Sequence, residues 1–223
     1  MMFRCSLLTF LLIPTLALAD AGAEAAARAD LRARFGPEAS LIWDAARGVP
    51  AAVMGLDLKL PGKTATARAQ RFLTVHGALL GIDAKQLGVG RVSAFHGRPV
   101  VRFQQTMGGV PVEGRYVALS FDKAQRLLRV SSDWMPLGAS DVGSMLDEAA
   151  IRAAVATRYP GSPQGIATRV IVANAPRLAR TSWRVPVALV PPILIRMVWV
   201  DGETGRILQD RLVGKDVPGE VVR

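Results

Sequence analysis

The chain has two histidines, His76 and His96, and these are the residues best suited to bind a metal or act as a general base. A zinc protease carries His-Glu-x-x-His on a helix, because imidazoles one turn apart reach the same metal while the glutamate activates water. These histidines lie 20 residues apart, in Val-His-Gly and Phe-His-Gly. His76 also falls on the apolar stripe of a predicted helix, which favours a hydrogen-bonded core histidine. We therefore predict no metal site and no zinc protease activity.

Other catalytic arrangements are also missing from the sequence. It has no Gly-x-Ser-x-Gly motif, which would place a nucleophilic serine on a sharp turn. Gly88-Val89-Gly90 does not lead into a helix as a phosphate-binding loop would. Asp147 and Glu148 stand at the start of a predicted helix, where N-capping and the helix dipole explain carboxylates. The sequence thus predicts a protein that is not an enzyme, has no catalytic residue and binds no cofactor.

The first 19 residues have the order of a secretory signal peptide. Arg4 precedes an apolar run over residues 7–17, and an Ala-Leu-Ala sequence ends at Ala19. The run is short for a bilayer span, so an uncleaved membrane anchor is the less favoured interpretation. Cleavage after Ala19 predicts a secreted or periplasmic protein that is not transmembrane. Cleavage would also remove Cys5, the single cysteine, and with it any disulfide.

The formal net charge of +10 comes mainly from arginines that are spread along the chain. Nucleic-acid binders instead cluster basic residues on one face, with aromatic residues between them for stacking. Only 6% of the residues are aromatic, and export makes nucleic acid an improbable partner. The composition therefore argues against nucleic acid, and it leaves an acidic envelope surface as a partner that the charge would favour.

The elements that would position a site follow a repeated order. Residues 20–60 hold a predicted helix over 21–35 and short irregular strands. A second helix begins with Thr64 or Thr66 as N-cap and ends at Gly81. Four strands follow, and they are predicted at residues 90–96, 99–106, 110–121 and 127–134, with Gly108-Gly109 as a tight turn between the second and the third.

The second half of the chain repeats this order. Asp147 caps a predicted helix over 147–158, and four more strands are predicted at residues 165–172, 182–190, 193–200 and 206–213. The pattern predicts an α+β fold of two tandem helix-plus-antiparallel-sheet units, since two small units are more economical than one large sheet. The predicted boundaries are units at 61–135 and 147–213, a linker at 136–146 and a polar tail at 214–223.

Two motifs resemble parts of the pro-regions of secreted metalloproteases. The first resembles the core of the fungalysin/thermolysin propeptide family and consists of Gln104, Gln105, Gly109, Val110, Pro111, Val112 and Gly114. The second is similar to the end of a PepSY-type domain and consists of Asp201, Thr204 and Gly205. They lie in the order found in those pro-regions, and the likeness covers about residues 40 to 213. The resemblance implies a propeptide-like first unit and a PepSY-like second unit, with cystatin-like architecture.

The motif residues also lead to local predictions. Gln104 and Gln105 are adjacent on a strand and point to opposite faces, so we expect one to be buried and hydrogen-bonded and the other to be solvated. In the second motif, Asp201 and Thr204 can accept backbone N–H groups, and Gly205 can take the left-handed conformation. One turn departs from the family pattern, because Gln125 stands where the family usually carries glycine.

The resemblance implies a function as well. It implies a module that inhibits a secreted zinc metalloprotease, assists its folding or does both, with the catalytic domain bound in trans or in cis. The hairpin from Gly109 to Gly114 is the predicted partner-binding surface, because the motif is densest there. Two alternatives stay open: a periplasmic or extracellular PepSY-type binding module without a protease, and the N-terminal fragment of a longer zymogen. Only the last would make the chain part of a zinc metallopeptidase.

Overall fold

The computed structural model describes residues 15–138, 145–162, 164–176, 178–189 and 194–215. Within these ranges the chain forms three α-helices and eleven β-strands, together with two short 3-10 helices. The predicted α+β class is therefore confirmed. Most of the predicted signal peptide, most of the polar tail and the middle of the predicted linker lie outside the described residues.

The helices begin with the caps that the sequence predicts. The side chain of Thr64 accepts a hydrogen bond from the N–H of Ala67 at 3.1 Å, and Asp147 accepts one from the N–H of Ala150 at 2.8 Å. Each cap satisfies an amide that the first helical turn leaves without a partner. The helix bounds are α1 Thr15–Phe35, α2 Ala65–His76 and α3 Glu148–Arg158.

Two helix ends differ from the prediction. Helix α2 ends at His76, and a 3-10 turn over Gly77–Leu80 continues it as far as Gly81, which has a left-handed φ of +67°. Helix α1 begins at Thr15 and not near residue 21, so the predicted cleavage point after Ala19 lies within it. None of the helices in the described ranges is long and apolar enough to cross a membrane.

The first seven strands surround the first motif. Their bounds are β1 Ser40–Asp44, β2 Val49–Met54, β3 Leu58–Lys59, β4 Leu87–Phe95, β5 Arg98–Met107, β6 Val110–Phe121 and β7 Arg126–Ser132. The last four are β8 Thr168–Ala175, β9 Leu178–Leu189, β10 Leu194–Asp201 and β11 Ile207–Lys215. The ends of the eight main predicted strands are displaced by at most four residues.

These strands join into one continuous sheet. Its main order is β1-β2-β7-β6-β8-β9-β10-β11, with β5 on β6, β4 on β5 and β3 on β7. Every pairing between these strands is antiparallel except the one between β6 and β8, where Val112 lies opposite Ile171. The predicted division into two separate units is therefore not confirmed, because strand β6 belongs to both halves of the sheet.

The buried core has a large and a small part, joined by a third cluster at β6. The large cluster packs α1 and α2 on the first strands and includes Trp134 and Phe121, both almost fully buried. The small cluster places Ile151 of α3 on β9 and β10. The third cluster includes Val112 and Ile171. Because burying each large apolar side chain is worth about 2 kcal/mol, these clusters fix β6 between the two halves.

Candidate functional site

The first motif begins at the hairpin turn between β5 and β6. Met107 pairs with Val110, and the two residues between them, Gly108 and Gly109, have φ values of +56° and +80°. A two-residue turn with both φ values positive matches the twist of the flanking strands, and glycine adopts it without steric cost. The predicted tight turn is confirmed, and Gly109 lies exposed at its tip.

A bulge in β6 follows this turn. The register between β5 and β6 shifts between Gln104 and Thr106, so that residues 112–115 leave the regular ladder. Gly114 lies within the bulge at φ +68°. A bulge bends the strand that contains it, and glycine permits the left-handed conformation that this one uses. The bend allows the N-terminal part of β6 to pair with β8.

The side-chain amide of Gln104 stabilises the bulge. Its Nε2 donates hydrogen bonds to the main-chain oxygens of Val112 and, at 2.8 Å, of Arg115. Both carbonyl groups lie where the β5–β6 ladder is interrupted and have no register partner in β5. The expectation that one of the two glutamines would be merely solvated is therefore wrong, because both are hydrogen-bonded within the protein.

Gln105 is the most deeply buried polar residue of the motif, with 0% of its surface exposed. Its Nε2 donates to Gln86 Oε1 and to the main-chain oxygen of Met135, both at 2.8 Å. Its Oε1 accepts a hydrogen bond from the N–H of Met135 at 3.1 Å. The amide thus connects β5 to two segments that are distant in sequence, which explains a buried glutamine in structural terms.

Charged residues of β6 reinforce its contact with the second half of the chain. Nη2 of Arg115 donates to the main-chain oxygen of Ala173 in β8 at 2.7 Å. Glu113 forms an ion pair with Arg184 of β9 at 3.3 Å. Burial of the Arg115 guanidinium lowers its pKa below the ordinary value. We call the region formed by Gln104, Gln105, Val112, Gly114 and Arg115 the β6 joint, since it holds the two halves of the sheet together.

The second motif forms the turn between β10 and β11. One carboxylate oxygen of Asp201 accepts hydrogen bonds from the N–H of Glu203 at 3.1 Å, the N–H of Thr204 at 2.9 Å and the hydroxyl of Thr204 at 3.0 Å. Gly205 has φ +71°. Burial raises the pKa of Asp201, but hydrogen bonds from Thr204, Glu203 and Arg180 outweigh it and leave the pKa lowered. The turn has the predicted geometry.

The β6–β7 turn has the same construction with a different residue at its critical position. Asp122 accepts a hydrogen bond from the N–H of Arg126 at 2.8 Å, and its own N–H donates to the carbonyl of Arg126 at 2.9 Å. Gln125 has φ +64°, in the region that favours glycine. The departure from the family pattern therefore leaves the turn geometry intact and places a glutamine in a strained conformation.

A polar groove of about 470 Å³ lies beside the β6 joint. Its lining comprises Gly88, Val89, Arg91, Arg102, Gln104, Thr106, Pro111, Glu113, Gly114 and Arg184. Of the predicted partner-binding residues, Gln104, Pro111 and Gly114 line this groove, whereas Gln105 and Val112 are buried. The first motif thus contributes only uncharged residues to the groove, while Glu113 and three arginines outside the motif contribute its charge.

The sequence analysis did not single out the arginines of this groove, because it considered the spacing of basic residues and not the positions where carboxylates are missing. Residues 84–112 contain Lys85, Arg91, Arg98 and Arg102 and no aspartate or glutamate. Arginines are indeed evenly spaced along the chain, but carboxylates are not. The signal that could have located Arg91 and Arg102 was this gap between Asp83 and Glu113.

Neither histidine belongs to a metal site in the described parts of the chain. His76 packs between Phe35 and Phe72, with ring centroids at 5.0 and 5.1 Å. Its buried Nδ1 has no hydrogen-bond partner among the described residues, so the predicted hydrogen-bonded histidine is wrong. Burial and the nearby Arg34 lower the pKa of His76. Among the described residues no three His, Cys, Asp or Glu side chains are grouped as metal ligands.

Comparison with known families identifies one segment of the chain. The sequence model described as Fungalysin/Thermolysin Propeptide Motif matches residues 96–133, which include β5, β6 and β7. No curated protein matches the chain. A solved structure, the Bacillus megaterium YpeB C-terminal domain, resembles it with a TM-score of 0.42 and 12% identity, over 74% of this chain and 73% of that chain. That likeness is too remote to support an argument.

Proposed function

We propose that this chain is a non-enzymatic, exported, propeptide-like module that binds the catalytic domain of a secreted zinc metalloprotease, inhibits it and assists its folding. The observation that carries the proposal is the propeptide motif over residues 96–133, which covers strands β5 to β7 and all five residues of the β6 joint. The matched segment does not reach Asp201 in the second half of the chain. The PepSY-like character of that half is therefore proposed as well.

The shape of the molecule is compatible with both actions. Inhibition requires only that a folded surface cover the catalytic cleft, and folding assistance requires that the same surface bind a partly folded partner. Neither action needs a catalytic residue. The eleven-stranded sheet supplies a large surface whose two halves are tied together at β6. A preorganised surface binds with a smaller loss of conformational entropy than a flexible one.

Inhibition is tested by titrating a thermolysin-like metalloprotease, preferably one secreted by the same cell, with the purified chain. We expect the initial rate of peptide hydrolysis to fall and to saturate near one chain per protease. A secreted serine protease serves as the control and should keep its activity. A rate that stays unchanged at an excess of chain would remove the inhibitory part of the proposal.

Folding assistance is tested separately. The protease is unfolded in denaturant and diluted with or without the chain, and the activity recovered is measured after the chain has been removed. We expect a higher yield with the chain than with an equal mass of an unrelated protein. If both assays fail with every thermolysin-like protease tried, a binding module without a protease partner replaces this proposal.

A further inference from the structure

Strand β4 is an open edge of the sheet. It pairs with β5 on one side, and on the other side no strand pairs with it within the described parts of the chain. Three apolar side chains are exposed along it: Val89 by 85%, Val92 by 56% and Phe95 by 68%. Natural edge strands are usually shortened, charged or covered, because a free row of N–H and C=O groups attracts another strand. A nine-residue edge with exposed apolar side chains is suited to receive one.

The packing under β4 holds this edge in place. A Cβ atom on Gly90 would lie 2.7 Å from the ring of Phe103 and 2.8 Å from the side chain of Thr66. A Cβ atom on Gly88 would lie 2.9 Å from the main-chain oxygen of Gln104. The two glycines therefore let β4 lie directly against β5 and the start of α2. The edge is preorganised for an incoming strand.

The sequence on either side of β4 is rich in basic residues. Residues 58–112 contain eight lysines and arginines and one carboxylate, Asp83, which gives a net charge of +7. Arg91 of β4 lies opposite Arg102 of β5. Neither arginine has an ion pair with a carboxylate in the described ranges, and Arg102 stacks at 4.0 Å on the ring of Tyr116. Both arginines line the groove beside the β6 joint, where the carboxylate of Glu113 is already paired with Arg184, and this excess of positive charge favours an anionic partner.

We propose that the free edge of β4 binds an extended peptide segment of a partner protein in which acidic and apolar residues alternate. Side chains of a strand alternate between two faces, so Arg91 lies on one face and Val92 on the other. An added strand would present its acidic side chains on the face of Arg91 and Arg102, which Phe95 shares, and its apolar side chains to Val92 on the opposite face. Main-chain hydrogen bonds to β4 would supply affinity, and this alternation would supply selectivity. The inference does not depend on the protease proposal.

The test uses a fluorescent peptide of alternating Glu and Val, long enough to pair along all nine residues of β4. Its dissociation constant for the full chain is measured by fluorescence anisotropy. We expect Arg91→Glu to weaken binding by about tenfold or more, because it reverses the charge beside the edge. Arg102→Ser is the second variant, and it should weaken binding severalfold. Thermal unfolding of each variant verifies that it is folded.

Arg129→Glu is the matched control for charge. Arg129 is exposed on β7, and the strand register places it on the same face as Arg91. Two strands, β5 and β6, lie between them, so three strand spacings separate the residues by about 14 Å, more than the screening length of about 8 Å at physiological salt. We expect this variant to change the affinity by less than about twofold.

Peptide controls separate strand addition from simple charge attraction. A Lys-Val peptide of the same length should not bind measurably. A Glu-Val peptide with alternate backbone nitrogens methylated keeps its charge and loses donors that strand pairing needs, so it should bind about tenfold more weakly. Equal binding of the methylated peptide, or equal effects of Arg91→Glu and Arg129→Glu, would overturn the proposal and indicate a general affinity for anionic polymers. No binding of the Glu-Val peptide would also overturn it.

Discussion

The β6 joint and the Asp201 turn satisfy backbone groups with opposite chemistry. At the joint, the amides of Gln104 and Gln105 donate to carbonyl groups that β6 and the segment at Met135 present. At the turn, the carboxylate of Asp201 accepts N–H groups from Glu203 and Thr204. In both places the side chains of the motif residues form hydrogen bonds within the protein. The motif residues of both regions therefore stabilise the fold itself.

The two regions differ in how far along the chain their side chains reach. Gln105 contacts residues 19 and 30 positions away, whereas the carboxylate oxygen that closes the turn contacts residues two and three positions away. Loss of the joint should therefore disturb packing between distant segments, and loss of the turn should disturb a single connection. Substitutions in the two regions measure this difference.

The largest effect is expected for Gln105→Ala. The substitution would leave Gln86 Oε1 and both main-chain groups of Met135 without their partner in a buried site, at a cost of about 3 kcal/mol in the free energy of unfolding. Urea denaturation measures it. Gln70→Ala on the exposed surface of α2 is the control and should cost less than about 0.5 kcal/mol. A loss below about 1 kcal/mol for Gln105→Ala would contradict its role in the joint.

Asp201→Ala is expected to cost about 2 kcal/mol, less than the loss at Gln105. It removes the acceptor of three hydrogen bonds in a buried turn. Asp122→Ala is its counterpart in the β6–β7 turn, where one carboxylate oxygen accepts one backbone N–H, and it should cost about 1 kcal/mol. If both substitutions lowered the free energy of unfolding equally, burial and the number of hydrogen bonds would not determine the cost of losing each aspartate.

The pH dependence of stability should also report the contribution of the Asp201 carboxylate. Since the pKa of Asp201 is lowered in the folded state, its carboxylate stabilises the protein above the ordinary value of 3.8, and this contribution is lost as the pH falls through the folded pKa. The gap in unfolding free energy between the unchanged protein and Asp201→Asn should therefore narrow below pH 3.8. Chemical denaturation from neutral to acid pH tests this, and a constant gap would be the contrary result.

Gly205→Ala should cost about 1 kcal/mol, because alanine is strained at φ +71° and its Cβ would lie 3.3 Å from Leu146. The smallest effect is expected from the reverse change in the β6–β7 turn. Gln125→Gly should raise stability by about 0.5 kcal/mol, since relief of the left-handed strain exceeds the entropic cost of glycine.

Gln125→Ala keeps the strain and removes the hydrogen bond that Arg68 donates to Gln125 at 3.0 Å. It is therefore the control for Gln125→Gly and should bring no gain. Thermal unfolding of the three variants compares the two turns directly. If Gln125→Ala also raised stability, relief of strain at position 125 would not be the cause of a gain with Gln125→Gly.

The sequence by itself determined the features that depend on residues close together in the chain. The caps at Thr64 and Asp147, the Gly108-Gly109 turn and the Asp201 turn were all predicted, because each involves a hydrogen bond or a φ angle within a few residues. Strand positions followed from hydrophobic alternation, which reports burial of one face. The propeptide motif is also recognised from residues that are close together in the chain, and the family match over residues 96–133 confirmed it.

The tertiary structure decided which strands pair and which side chains remain free. Val112 pairs with Ile171, far along the chain, and hydrophobic alternation is the same whether strands form one sheet or two. The burial of Gln105 depends on the return of the chain at Met135, and the groove is lined by residues as distant in sequence as Arg91 of β4 and Arg184 of β9. Such contacts join segments that are far apart in the sequence. They cannot be predicted from residue spacing, because a long intervening chain allows many distances between its two ends.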